Sequence, residues 1–137
     1  KKIMSVLAKN HRQLTVYYDS KSELGKKIRV RAEASDLKVL PIDLLQTNLT
    51  GTEWVEVAEM LGVTVDKLID QDHPIFKELY GKDHVDLDEN DSIKVLEKNP
   101  ETLVFPIGIR GERAVQVKQL SDLNPLFDSD TGEIPQP

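Results

Sequence analysis

The sequence predicts an α/β fold in which a mixed sheet of about four strands carries helices on both faces. A strand pattern at residues 14–19, a helix pattern and a second strand pattern at residues 37–43 follow one another directly, which indicates a β-α-β unit. Two short apolar segments on either side of the turn at residues 110–113 indicate a β-hairpin. The first unit requires parallel strands and the hairpin antiparallel ones, so the sheet is expected to be mixed.

Capping residues place the first helix. Residues 14–19 alternate and include β-branched and aromatic side chains, as strands do. The sequence SKSE that follows fits a capping box, with Ser20 as the N-cap and the Glu23 side chain reaching back to it. Apolar residues then recur at helical spacing over residues 24–35. A further short strand is expected at residues 3–7.

A helical insertion (about residues 50–99) separates the two parts of the sheet. Thr50 and Glu53 fit a second capping box, Trp54 begins an apolar stripe that is expected in the core, and Gly62 is a typical C-terminal stop. Further short helices are expected after Thr64, after His73-Pro74, and between the acidic stretch at residues 83–91 and the stop at Asn99-Pro100.

The length of 137 residues fits one domain, which we expect to span residues 1–127 with a frayed tail at 128–137. No apolar run approaches the roughly 20 residues that span a bilayer. The apolar part near the start is short and is interrupted by charged residues between Lys9 and Arg12, so a signal peptide is not expected. Cytoplasm without membrane association is the expected location.

Charge is distributed unevenly along the chain. The formal net charge of −6 argues against nucleic acid as a partner. Residues 1–40 hold ten Lys or Arg and four Asp or Glu, whereas residues 41–137 hold eight and twenty. The imbalance is either an accident of surface composition or a means of creating one face that attracts anions.

The residue inventory gives no sign of a metal or cofactor. The sequence has no cysteine, which excludes disulfides and thiol catalysis by these residues. The histidines His11, His73 and His84 lack partners at zinc-ligand spacing, so His73 and His84 are read as surface residues. The acidic stretch lacks the glycine and the terminal glutamate of an EF-hand, and we interpret it as a solvated loop that caps the next helix.

Three segments carry a resemblance to a known family. They read VYYDSKSELGKK, LGVTVDKLIDQDHPIFKELYG and LEKNPETLVFPIGIRGER. Together they resemble the glutaredoxin-dependent arsenate reductase (ArsC) family and its Spx-type regulator relatives over roughly residues 14–120. The resemblance implies a thioredoxin-like fold and a cis proline at Pro106.

The residues of the family's chemistry are replaced in this sequence. By the resemblance, Ser22 stands in place of the nucleophilic cysteine, and Lys26 in place of the arginine four residues later. Asp70 and Phe105 occupy positions of two further arginines, and Val115 or Gln116 that of the last. A serine hydroxyl cannot form a redox disulfide, and Asp70 would repel an oxyanion. We therefore expect no arsenate reductase activity.

Three interpretations of the loop at Ser22 stay open. Ser20, Ser22 and Glu23 can serve as helix-capping residues. The helix N-terminus can keep a remnant anion site with Lys21, Lys26 and Lys27. Ser22 can act as a nucleophile only beside a base, and no histidine lies near it in the sequence.

Two functions follow as hypotheses. The first is a non-catalytic binding or interaction module for a protein partner, which could lie as an extended peptide beside Pro106. The alternative is a protein that binds glutathione or an oxyanion, or an enzyme with cysteine-independent chemistry.

Overall fold

The computed structural model describes residues 11–128. The strand expected at residues 3–7 and the tail from residue 129 onward lie outside the described residues. Within residues 11–128 the sheet has the order β2-β1-β3-β4, which confirms the expected mixed sheet of about four strands. Strands β1 and β2 are parallel, whereas β3 is antiparallel to both β1 and β4. The strands are β1 (Gln13–Tyr18), β2 (Lys38–Asp43), β3 (Ile107–Arg110) and β4 (Arg113–Gln116).

In the part of the chain that the structure describes, five α-helices flank the sheet. None of the helices within residues 11–128 is long and apolar enough to cross a membrane. Short 3-10 helices at Val65–Leu68, Pro100–Thr102 and Leu120–Leu123 join some of the longer elements. The α-helices are α1 (Glu23–Glu33), α2 (Gly51–Leu61), α3 (Pro74–Tyr80), α4 (Glu89–Lys98) and α5 (Asn124–Phe127).

The sheet separates two hydrophobic cores because successive side chains of β1 point to opposite faces. On one face, Leu14, Val16 and Tyr18 pack in a core with buried residues of α1 and α5. On the other face, Tyr17 packs in a core with buried residues of α2, α3 and α4. Both tyrosines are therefore buried. Trp54 is fully buried in the second core, as the sequence predicts.

Local capping signals set most helix boundaries of the insertion. The Thr50 and Glu53 side chains each accept a hydrogen bond from the other residue's backbone N–H, so the predicted capping box forms. Gly62 ends α2 with a φ of 75°, in the left-handed region that favours glycine. Asp88 accepts from the Asp91 backbone N–H at 2.8 Å, which confirms that the acidic stretch caps α4.

Two arginines of the β3–β4 hairpin hold the segment that follows α5. Arg110 donates to the backbone carbonyls of Leu126 and Asp128, each at 2.9 Å. Arg113 donates to the carbonyls of Pro125 and Asp128. Because a helix leaves its last carbonyls without partners, these guanidinium groups satisfy the end of α5 and tie it to the sheet.

Candidate functional site

The loop after β1 turns directly into α1, and Ser22 is the residue that caps the helix. The Ser22 hydroxyl oxygen accepts from the Gly25 backbone N–H at 3.0 Å. The prediction that Ser20 is the N-cap is wrong by two residues. The Asp19 carboxylate accepts from the Lys21 backbone N–H at 2.7 Å, and this turn extends the loop before the helix begins. Glu23 instead forms an exposed ion pair with Lys26, with 3.7 Å between the charged atoms.

Asp43, at the end of β2, anchors the same loop. Its carboxylate accepts from the backbone N–H groups of Ser20 at 3.2 Å and Leu45 at 3.1 Å. Burial acts to raise the pKa of Asp43, but hydrogen bonds from Ser20 and Leu45 and the charge of Arg29 outweigh burial and lower that pKa. The ionised carboxylate therefore ties the loop after β1 to the loop after β2.

A cavity of about 460 Å³ lies beside this loop, and we call it the Ser22–Pro106 cavity. Three segments far apart in sequence form its walls: residues 19–24, residues 70–75 and residues 101–106. The second and third segments are joined because the Asp70 backbone N–H donates to the Thr102 carbonyl at 2.7 Å. The fold thus creates a concave site where the nucleophile loop of the resembled family would be.

The structure brings together some of the predicted site residues and separates others. Lys21, Ser22, Asp70 and Pro106 line the cavity. The other predicted site residues do not line the cavity. Lys26 and Lys27 are exposed on α1, Phe105 lies 5.7 Å from the Lys118 ammonium, and Val115 and Gln116 belong to β4.

The expectation of a cis proline at Pro106 is wrong. No peptide bond within residues 11–128 is cis. The trans form is the lower-energy form of an X-Pro bond. With the bond in this form, the Pro106 carbonyl accepts from the Val117 backbone N–H at 2.8 Å. Pro106 therefore keeps its place in the cavity wall as a buried trans residue.

His73, which the sequence predicts as a surface residue, lines the same cavity as Ser22. Its ring nitrogen Nδ1 accepts from the Ile75 backbone N–H at 3.1 Å, which caps α3. A neutral imidazole that accepts at Nδ1 carries its proton on Nε2 and can only donate from that atom. His73 is thus not set to remove a proton from Ser22, and the nucleophile interpretation of Ser22 gains no base. One signal was available: His73 lies three residues after Asp70, which the resemblance already placed at the site.

Carboxylates outnumber cations in the cavity lining. Asp19, Asp70 and Glu101 contribute negative charge, and Lys21 is the one Lys or Arg among the lining residues that the structure describes. Glu101 is a second residue that the sequence did not single out. With His73 neutral, the lining carries a formal charge of −2, which opposes the binding of an oxyanion. Within residues 11–128, no group of three or more His, Asp or Glu side chains is arranged to hold a metal ion.

Solved structures identify the fold. No family model and no curated protein matches the chain. An arsenate reductase structure from Vibrio cholerae matches with a TM-score of 0.74 and 17% sequence identity, over 85% of this chain and 99% of that one. An arsenate reductase (ArsC) related protein from Brucella melitensis matches with a TM-score of 0.62 and 15% identity, over 84% and 94% of the two chains. The chain has the thioredoxin-like fold of the arsenate reductases.

The arsenate reductase fold is present here without any cysteine in the sequence. At the start of α1, the hydroxyl of Ser22 is engaged as a cap rather than held as an ionised nucleophile. A thiolate at a helix N-terminus is stabilised by the helix dipole and by nearby cations. In this chain the first turn of α1 carries the Glu23 carboxylate, whose negative charge interacts favourably with the positive end of the helix dipole.

Proposed function

We propose that this protein is a non-catalytic relative of the arsenate reductases that acts as a binding or interaction module through the Ser22–Pro106 cavity. One observation carries the proposal: the cavity beside Ser22 is present, while Ser22 is held as a helix cap and His73, in the same lining, uses Nδ1 to accept from the Ile75 backbone N–H. A concave site whose lining has no cysteine and whose serine hydroxyl is used as a helix cap supports binding better than it supports nucleophilic catalysis.

Thiol-based reduction of arsenate is chemically inaccessible to these residues. The reaction needs a sulfur nucleophile that forms a bond to arsenic and later a disulfide, and a serine oxygen cannot take the second role. More than the nucleophile differs from the resembled family. Asp70, which lines the cavity, brings a negative charge where an oxyanion would need a positive one. The resemblance to Spx-type regulators supports an interaction role by analogy only, and no particular partner is carried over.

Binding of glutathione or an oxyanion is the second candidate. The observation that favours it is Lys21, a cationic residue that belongs to the cavity lining next to Ser22. Lys26 and Lys27 do not add to that charge at the cavity, since they are exposed on α1 and Lys26 is paired with Glu23.

Two assays test the proposal. Arsenate reduction in the presence of glutathione and glutaredoxin should stay at background for the wild-type protein and for Ser22→Cys, because the cationic residues are still missing. Turnover above background by the wild-type protein would sink the proposal, and turnover by Ser22→Cys would show that the remaining site is still competent.

The second assay measures thermal unfolding with arsenate, phosphate, sulfate and reduced glutathione. A ligand at about a hundred times its Kd adds roughly 2.7 kcal/mol to the free energy of unfolding. A stabilisation that Lys21→Ala abolishes would support the second candidate. No stabilisation by any of them would favour a protein partner.

A further inference from the structure

We infer that the Ser22–Pro106 cavity binds an alkylammonium or alkylguanidinium group, such as the side chain of a lysine or arginine in a partner segment. The inference rests on the proposed function, since it names the ligand class of the same site. Its grounds are the placement of the carboxylates around the cavity, their free acceptor atoms and the apolar walls between them.

The carboxylates come from three separate walls of the cavity. Asp19 belongs to the loop after β1, Asp70 follows the 3-10 helix Val65–Leu68, and Glu101 lies in the 3-10 helix before β3. None of the three forms an ion pair within residues 11–128. A cation that enters between them is attracted from more than one side of the cavity.

Two of these carboxylates are already oriented by the backbone. One oxygen of Asp19 accepts from the Lys21 N–H at 2.7 Å, and one oxygen of Asp70 accepts from the Asp72 N–H at 2.9 Å. In residues 11–128, the second oxygen of each has no hydrogen-bond partner. Ammonium and guanidinium groups carry only donors, so they match such acceptors and form the stronger, charge-assisted hydrogen bonds.

Apolar residues complete the lining and suit the aliphatic part of the ligand. Leu24, Ile75, Leu103, Val104 and Pro106 all contribute to the cavity surface. Lysine and arginine pack their methylene stems against apolar surface while the charged end reaches polar groups. The volume of about 460 Å³ is within the range of ligand pockets and is ample for one such side chain.

The test uses isothermal titration calorimetry with three probes at low and at high salt. Two are capped heptapeptides of glycine and serine that differ only at the central residue, which is arginine in one and glutamate in the other. The third is n-butylguanidinium, a small cation without a peptide. Asp70→Asn and Glu101→Gln each remove one cavity charge, and Asp70→Asn keeps a side-chain oxygen that can accept from the Asp72 N–H. Glu112→Gln removes a charge on the exposed hairpin turn and is the matched control.

We expect the arginine peptide to bind and its glutamate twin not to bind. Asp70→Asn and Glu101→Gln should each weaken binding about tenfold, as expected for loss of a charge-assisted hydrogen bond, and Glu112→Gln should leave it unchanged. Higher salt should also weaken it. Equal binding of n-butylguanidinium and the arginine peptide would identify a small cation as the natural source, and weaker binding of the small cation would identify a protein segment.

Two results would overturn the inference. The first is that neither cation binds, and the second is that the cavity variants bind as well as the wild-type protein. Preferential binding of the glutamate peptide would likewise exclude a cationic ligand. Each of these outcomes can occur while arsenate turnover is absent, so the inference can fail while the proposed function stands.

Discussion

Gly25→Ala sets helix propensity against a backbone contact at the candidate site. Gly25 lies in the first turn of α1, and replacement by alanine in a helix without steric conflict stabilises it by about 1 kcal/mol. At this position a Cβ would lie 2.6 Å from the Asp19 carbonyl oxygen and 3.4 Å from the Cβ of Tyr18. Only a shift of the backbone removes the first contact.

The neighbouring hydrogen bonds resist that shift. The Asp19 carbonyl accepts from the Ser22 backbone N–H at 2.9 Å, and the Tyr18 carbonyl accepts from the Leu44 N–H at 2.8 Å. Overpacking of this kind costs about 1–3 kcal/mol, and a backbone obstacle belongs at the upper end of that range. After the gain in helix propensity, we expect Gly25→Ala to lower the free energy of unfolding by about 1–2 kcal/mol.

Urea unfolding followed by far-ultraviolet circular dichroism measures this difference, with Gly51→Ala as the control. Gly51 also lies in the first turn of a helix, but its Cβ would meet side-chain atoms, Ile93 Cγ2 at 2.9 Å and Glu97 Oε2 at 3.2 Å. These side chains can move, so the control should lose less stability. A Gly25→Ala protein at least as stable as wild type would refute the close approach of α1 to Asp19.

Three further predictions concern titration and capping. Burial first, and then Glu53 and Glu56, raise the pKa of Tyr17 to about 12. Because an unfolded tyrosine ionises near pH 10, stability should fall between pH 10 and 12 by up to about 2.7 kcal/mol, and less so in Tyr17→Phe. The pKa of Asp43 is lowered, so its contribution to stability is present above pH ~3.9 and is lost as the pH falls further. The free energy of unfolding from urea titrations should therefore differ less between pH 7 and pH 3 in Asp43→Asn than in wild type. Ser22→Ala should lower the free energy of unfolding by about 1 kcal/mol and Ser20→Ala by less, and the reverse order would contradict the observed cap.

Features that depend on neighbouring residues could be predicted from the sequence. The Thr50–Glu53 capping box, the Gly62 stop and the start of α3 at Pro74 each arise from contacts within a few residues, and all three form as expected. The β-α-β unit and the hairpin follow from strand alternation and turn residues, so the mixed four-stranded sheet was predictable as well. The N-cap of α1 was missed because both Ser20 and Ser22 can cap a helix, and the turn at Asp19 decides between them.

The composition of the candidate site was decided by tertiary structure. Sequence and resemblance together predicted a candidate site at Ser22, Asp70 and Pro106, and these residues line one cavity. The sequence also excludes thiol chemistry by these residues, because the absence of cysteine is a property of composition. They did not place His73 and Glu101 in the same cavity, nor did they separate Lys26 and Lys27 from it. The segments around residues 70 and 102 are joined by long-range backbone hydrogen bonds. A local sequence pattern cannot predict contacts between residues so far apart in the chain. The sign of the charge in the cavity is a sum over three distant segments, so only the folded chain determines it.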